Sequence, residues 1–198
     1  MMEQYYTILN VDKKEILDLA NELVGRRLLE IARNRRICAM LMDCMANEWK
    51  GDQVYVVGDY ADWSLRNKSY FPALRRVLDC YHIEGTLYHY AEHHFVKILG
   101  TPGSVPYRFV YNHKERCFLD LSHCPAWNEQ SFGRQNPYLC PLILLLSMGN
   151  GLGTGDYANP KNQALVGSWC NTVSSLKITQ EPLLGVEYPE FRPDFRNW

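Results

Sequence analysis

The segment His89-Tyr90-Ala91-Glu92-His93 spells H-x-x-E-H. On a helix, His89 and His93 stand at i, i+4 on one face, where two imidazoles can ligate zinc while Glu92 serves as general base. A distant carboxylate has to complete such a site, and no third ligand stands out along the chain. The segment TLYHYAEHHFVKIL around the motif is rich in Thr, Tyr, Phe, Val and Ile, which predicts a strand over 86–98. On a strand the two imidazoles are about 13 Å apart, too far to share an ion. The expected reading is therefore a polar strand face, with no metal and no cofactor.

A second set of carboxylates sits in two Gly-Asp-Tyr-Ala copies, residues 58–61 and 155–158. Asp59 and Asp62 follow a β-branched run, QVYVVGD, whose end places them at a sheet edge, where α/β proteins often hold ligands. Asp156 lies in the Gly-rich stretch GNGLGTGDY. If the two copies converge, these carboxylates can hold Mg²⁺ through oxygen ligands and support hydrolysis. The simpler reading is a turn, with Gly supplying positive φ and Asp accepting from nearby backbone N–H groups. GNGLGTG matches neither a dinucleotide-binding fingerprint nor a Walker A loop, because no Gly-Lys-Ser/Thr follows. The seven Cys stand singly without a CxxC pair, and Cys117, Cys124, His113 and His123 fit no zinc-ligand spacing. Cys38 and Cys44, among Ala39, Met40, Leu41 and Met45, read as buried free thiols of a reduced, cytoplasmic protein.

The remaining chemistry suits recognition. Arg26, Arg27, Arg33, Arg35 and Arg36 form the one dense basic run. On a continuous helix Arg26, Arg33 and Arg36 fall within about 80° of one another, a stripe able to face phosphates or an acidic protein surface. Trp63, Tyr70, Trp127, Phe191, Phe195 and Trp198, interleaved with Arg, have the composition of protein-contact hot spots. The tail YPEFRPDFRNW has two options, to clamp onto its own domain or to dock on a partner. Lys+Arg 21 against Asp+Glu 22 gives a net charge of −1, so no whole-molecule field favours nucleic acid or anionic lipid. The longest apolar run, Leu142–Leu146, falls far short of the roughly 20 residues that span a bilayer.

The elements that must position these residues follow from patterning. YYTILN and EILDL, joined by VDKK, predict a hairpin. Residues 21–49 carry helical periodicity with an interruption near Asn34–Arg36, and Phe71–His82 repeats the pattern with Pro72 in the first turn. TPGSVP breaks the chain between an N-terminal half, 1–100, and a C-terminal half, 101–198. Beyond it, YRFVYNHKERCFLDLS predicts a second hairpin turning at His113–Arg116, and VSSLKIT a strand.

The halves echo each other. Asn10, Leu17, Asp18 and Leu19 recur with the same spacing as Asn112, Leu119, Asp120 and Leu121, and Trp49 and Trp169 each precede a β-prone run. The expected fold is α+β, with two related halves, each a β-hairpin plus a helical segment plus a strand, sharing one core. The phrases YYTILNVDKKE, WKGDQVYVVGDYAD and GNGLGTGDY followed by VGSW resemble a group of bacterial and phage-associated proteins. The resemblance spans most of the chain and implies a prokaryotic or phage origin, without implying any catalysis. The expected function is a non-enzymatic macromolecule-binding protein, an anti-CRISPR-like antagonist of a host defence system that meets a protein or ribonucleoprotein through Arg26, Arg33, Arg36 and the aromatic residues. The alternative is a metal-dependent hydrolase or nuclease on Asp59, Asp62 and Asp156; a zinc enzyme on His89 and His93 ranks third.

Overall fold

The computed structural model describes residues 4–20, 25–61, 72–103, 106–123, 139–149 and 164–195. β1 (Tyr6–Asn10) turns into β2 (Glu15–Leu17), and β3 (Val54–Gly58) pairs antiparallel on the other side of β1. β4 (Val96–Ile98) lies parallel to β2, and β7 (Ser147–Met148) parallel to β3, which closes a five-stranded sheet of order β4-β2-β1-β3-β7. A second sheet, β6-β5-β8, joins the hairpin of β5 (Phe109–Asn112) and β6 (Cys117–Asp120) to β8 (Leu176–Thr179). Helices and mixed sheets together make the fold α+β.

The sheets repeat one unit. Asn10 pairs with Glu15 across the first hairpin and Asn112 with Cys117 across the second, while their outer partners are Val54 and Leu176. In both turns the asparagine Oδ1 accepts a backbone N–H three residues on, Lys13 at 3.0 Å and Glu115 at 3.1 Å. The fourth residue after each asparagine then adopts a left-handed conformation, Lys14 at φ 55° and Arg116 at φ 52°. Each asparagine is fully buried and spends its amide on an outside group, Asp52 Oδ2 in one half and Thr172 Oγ1 in the other, both at 2.8 Å. The N-x6-L-D-L echo thus encodes a turn held by a buried amide.

A fourth, parallel chain also recurs. β4 lies on β2 with Lys97 opposite Ile16, and the tail lies on β6 with Glu190 opposite Phe118. The halves differ in what surrounds the unit, since β7, from the second half, completes the first sheet. The chain break at TPGSVP therefore does not separate two independent sheets.

Three helices contribute to the shared core, α1 (Leu28–Arg33), α2 (Arg35–Ala46) and α5 (Pro141–Leu145). Asn34 ends α1 in an extended conformation and caps α2, accepting from Arg36 N at 2.9 Å and Ile37 N at 3.1 Å. α1 packs on α2 and α5, and α2 packs on β8. The five residues Leu142–Leu146 are wholly buried, in one hydrophobic cluster that draws on both halves. α4 (Leu87–His94) lies across β1, β2 and β3, and α3 (Pro72–Cys80) packs on the 3₁₀ helix Cys170–Ser175. Among the described residues, no helix is long and apolar enough to cross a membrane.

Three expectations need correction. Residues 87–94 form a helix, and only Val96–Ile98 are strand. Thr86 caps this helix by accepting His89 N at 3.1 Å, and Leu87, Tyr88 and Ala91 make one buried stripe, so tertiary burial overrides β-prone composition. The predicted VSSLKIT strand begins only at Leu176, because Cys170–Ser175 wind into a 3₁₀ helix. Finally, Cys38 is not a lone thiol but is bonded to Cys140. Cys140 N donates to Ala32 O at 2.8 Å, which docks the start of α5 beside the last turn of α1.

Candidate functional site

The Gly-Asp-Tyr-Ala segment at 58–61 begins where β3 leaves the sheet. Its parallel neighbour β7 leaves beside it, with Val57 opposite Met148, so Gly58 and Gly149 stand at the same sheet end. Gln4 and Tyr6 pack over both. A Cβ on Gly58 would sit 2.6 Å from Gln4 Nε2, and one on Gly149 would collide with the Tyr6 hydroxyl. That hydroxyl donates to Gln4 Oε1 at 2.8 Å. At the first glycine of each loop a Cβ would thus displace a neighbouring side chain, Gln4 at Gly58 and Tyr6 at Gly149.

Asp59 is 9% exposed; its Oδ1 accepts Tyr5 N at 3.1 Å, and its own N–H donates to Tyr5 O at 2.9 Å. Burial pushes its carboxyl above the usual aspartate value, opposed by the Tyr5 hydrogen bond and by the field of His89 on α4. The turn geometry accounts for Asp59 in full. Asp62 and Asp156 lie outside the described residues, as do Trp63, Tyr70, Cys124, Trp127 and Trp198.

On α4, His89 and His93 do stand at i, i+4, contrary to the strand expectation. His89 Nδ1 faces Glu92 at 3.9 Å, and Glu92 also faces Arg26 at 3.6 Å, so the motif's carboxylate stands between an imidazole and a guanidinium. Among the described residues no three His, Cys, Asp or Glu side chains stand together as a metal-holding group. The other two histidines of interest turn to the tail. His113 Nδ1 lies 3.2 Å from Tyr188 Oη, and His123 Nδ1 lies 2.9 Å from Glu190 Oε1. Burial pushes the Cys117 thiol up, away from the reactive thiolate.

The arginine stripe is broken by the Asn34 cap. Arg26 precedes α1, Arg33 ends it and Arg36 lies in the first turn of α2, so the continuous-helix geometry does not hold. The tail clamps onto its own domain over the described residues. Phe118 N donates to Pro189 O at 3.1 Å, Phe191 N to Phe118 O at 2.7 Å, and Arg192 pairs with Glu190 at 2.7 Å. Phe191 packs against Trp169 at 5.6 Å, and Phe195 is 4% exposed in the core. These two aromatics are spent on the protein itself.

Sequence reasoning missed the open edge of β4. Val96 is 67% and Leu99 71% exposed, with Lys97, His93 and His94 exposed beside them. Val96 N–H donates to Lys14 O at 2.9 Å, and Ile98 O accepts Asp18 N at 2.8 Å, so these two residues face β2. Strand alternation then turns the N–H and C=O of Lys97 outward. FVKIL carries no signal of this in sequence, because an apolar run reads as buried until its neighbours are known. Compared with protein families, curated proteins and solved structures, the chain has no match.

Proposed function

We propose that this chain is a non-enzymatic macromolecule-binding protein that captures an extended segment of a protein partner along β4. One observation carries the reading: the outermost strand of the main sheet offers outward backbone groups at Lys97 between the exposed apolar residues Val96 and Leu99. A strand edge with no further strand beside it among the described residues is a template for pairing with another chain. The exposed cationic residues Lys14 and Lys97, with His93 and His94, suit an acidic segment. The resemblance to bacterial and phage-associated proteins supplies the setting, an anti-CRISPR-like antagonist whose partner is a protein or ribonucleoprotein of a host defence system.

The test compares proteins retained from a host extract by the wild type, by Lys97→Pro, by Val96→Glu/Leu99→Glu, and by the distant control Lys114→Glu. A partner kept by wild type and control but lost from both β4 variants supports the reading. Partners that ignore the β4 variants, or no partner at all, overturn it.

A second reading, a metal-dependent hydrolase or nuclease on Asp59, Asp62 and Asp156, draws on the parallel ends of β3 and β7, the position at which α/β sheets carry ligands. Its test is a thermal shift with Mg²⁺ or Mn²⁺. A stabilisation abolished by Asp59→Asn would favour it, and no shift would remove it.

A further inference from the structure

A cavity of about 670 Å³ opens between α2 and residues that flank the second sheet, a size typical of small-molecule sites. On α2 the lining is one helical stripe, Arg35, Cys38, Ala39 and Met42, at i, i+3, i+4 and i+7. Across from it stand Tyr107 and Arg108 ahead of β5, Leu121 after β6 and Glu181 after β8. One member of the stripe is half of a disulfide, since Cys38 is bonded to Cys140. Cys140 caps the start of α5 and is not among the residues that line the cavity.

Away from the cavity the bond is sealed, with Cys38 at 1% exposure and Cys140 at 0%. Thiol–disulfide exchange depends on access to one of the two sulfurs. A bond in a cavity wall, packed on its other sides, is reached by a small molecule that enters the cavity and not by the thiol of a folded protein. The residue it meets is Cys38. Cys38 is the fourth residue of α2, and its N–H donates to Asn34 O at 3.1 Å, which closes the first turn. A thiolate in the first turn of a helix is favoured by the backbone dipoles there, and a favoured thiolate leaves faster.

The lining sets the character of that molecule. Arg35 and Arg108 bring positive charge, while Glu181 and the Asp120 that is hydrogen-bonded to Arg108 bring negative charge. Charges that balance suit a molecule carrying both an ammonium and a carboxylate, rather than a polyanion. Ala39, Met42 and Leu121 add apolar wall for its aliphatic part.

We propose that this cavity is a thiol–disulfide exchange site, which admits a low-molecular-mass thiol of the amino-acid or short-peptide type to the Cys38–Cys140 bond. The thiolate attacks Cys38 Sγ; a bond forms between the two sulfurs, the Cys38–Cys140 bond breaks, and Cys140 leaves as a thiolate that takes up a proton. A second molecule of the thiol attacks the first one's sulfur in the mixed disulfide and releases Cys38, which is protonated in turn. Two thiols are thereby oxidised to one small disulfide, and the protein disulfide is reduced to two thiols. With the oxidised small molecule in excess the same steps run backward and close the bond. The site shares no residue with the β4 edge, so either can fail without the other.

The experiment incubates the full chain with reduced glutathione in native buffer, quenches with iodoacetamide, and follows Cys38 and Cys140 by peptide mapping in a mass spectrometer. Opening should be proportional to glutathione concentration and unchanged by urea below the unfolding transition. Ala39→Trp, which fills the cavity beside Cys38, should slow opening by at least about tenfold through lost access. Oxidised glutathione should add to Cys38 in Cys140→Ala, and at least about tenfold more slowly to Cys140 in Cys38→Ala. Circular dichroism and the unfolding midpoint check that the variants stay folded; if they do not, the urea dependence of the wild type decides alone. Four outcomes overturn the proposal: no opening in native buffer, opening that accelerates with urea in step with unfolding, a rate indifferent to a folded Ala39→Trp, or equal addition at the two cysteines.

Discussion

Asp59 and Asp120 are both largely buried carboxylates, yet their surroundings move them in opposite directions. Arg108 holds the Asp120 carboxyl well below the usual range, helped by the Ser122 N–H and O–H and opposed by burial. The folded state therefore binds this proton less readily than the unfolded chain, whose aspartates titrate near 3.9. The resulting stabilisation is complete above about pH 4 and is lost as pH falls toward the folded value. Asp120→Asn should lower the urea midpoint at pH 7, and the gap to wild type should shrink between about pH 4 and pH 2. A gap constant over that range would refute the assignment. For Asp59, raised chiefly by burial, the sign reverses, and its ionisation costs stability as pH rises through the folded value. Asp59→Asn keeps an acceptor for Tyr5 N–H and should be neutral or stabilising at pH 8. Asp59→Ala should lose about 1 kcal/mol of unfolding free energy with that hydrogen bond.

The repeated hairpin is the element whose logic the sequence carries most openly. Asn10 and Asn112 do the same work in their turns, so Asn10→Ala and Asn112→Ala should each cost about 1–3 kcal/mol, read from denaturant midpoints. The spacing N-x6-L-D-L made this legible because turn, register and strand length are all local. The interruption near Asn34–Arg36 was legible for the same reason, though that Asn34 caps α2 there is seen only in the structure. α4 was not, since Tyr, His and Phe are tolerated in either state and burial of Leu87, Tyr88 and Ala91 against β1–β3 decides the matter. Nor could spacing show that the candidate aromatics Phe191 and Phe195 are taken up by the tail's own packing. β4 gives a sharper element-scale test. Lys97→Pro removes only an outward N–H and should change stability by less than about 0.5 kcal/mol. Ile98→Pro removes an N–H on the β2 side and should cost at least about 1 kcal/mol. Equal losses from the two would refute the stated edge.

Across the whole molecule, the Cys38–Cys140 bond joins residues 102 apart, and both are essentially buried. A loop of that length restricts the unfolded chain by about 4–5 kcal/mol in the chain-entropy account. Cys38→Ala/Cys140→Ala should therefore unfold at markedly lower denaturant, and a reductant should shift wild type toward the variant but leave the variant unmoved. The tail strap has a different consequence, one of timing. β6 is synthesised well before the residues that pair with its outer edge at Pro189–Phe191. At roughly 5–20 residues per second, that edge waits several seconds on the ribosome with its backbone groups unpartnered. During translation the outer edge of β6 thus stands open, and a stop codon ahead of Pro189 would leave every product with that edge open to aggregation.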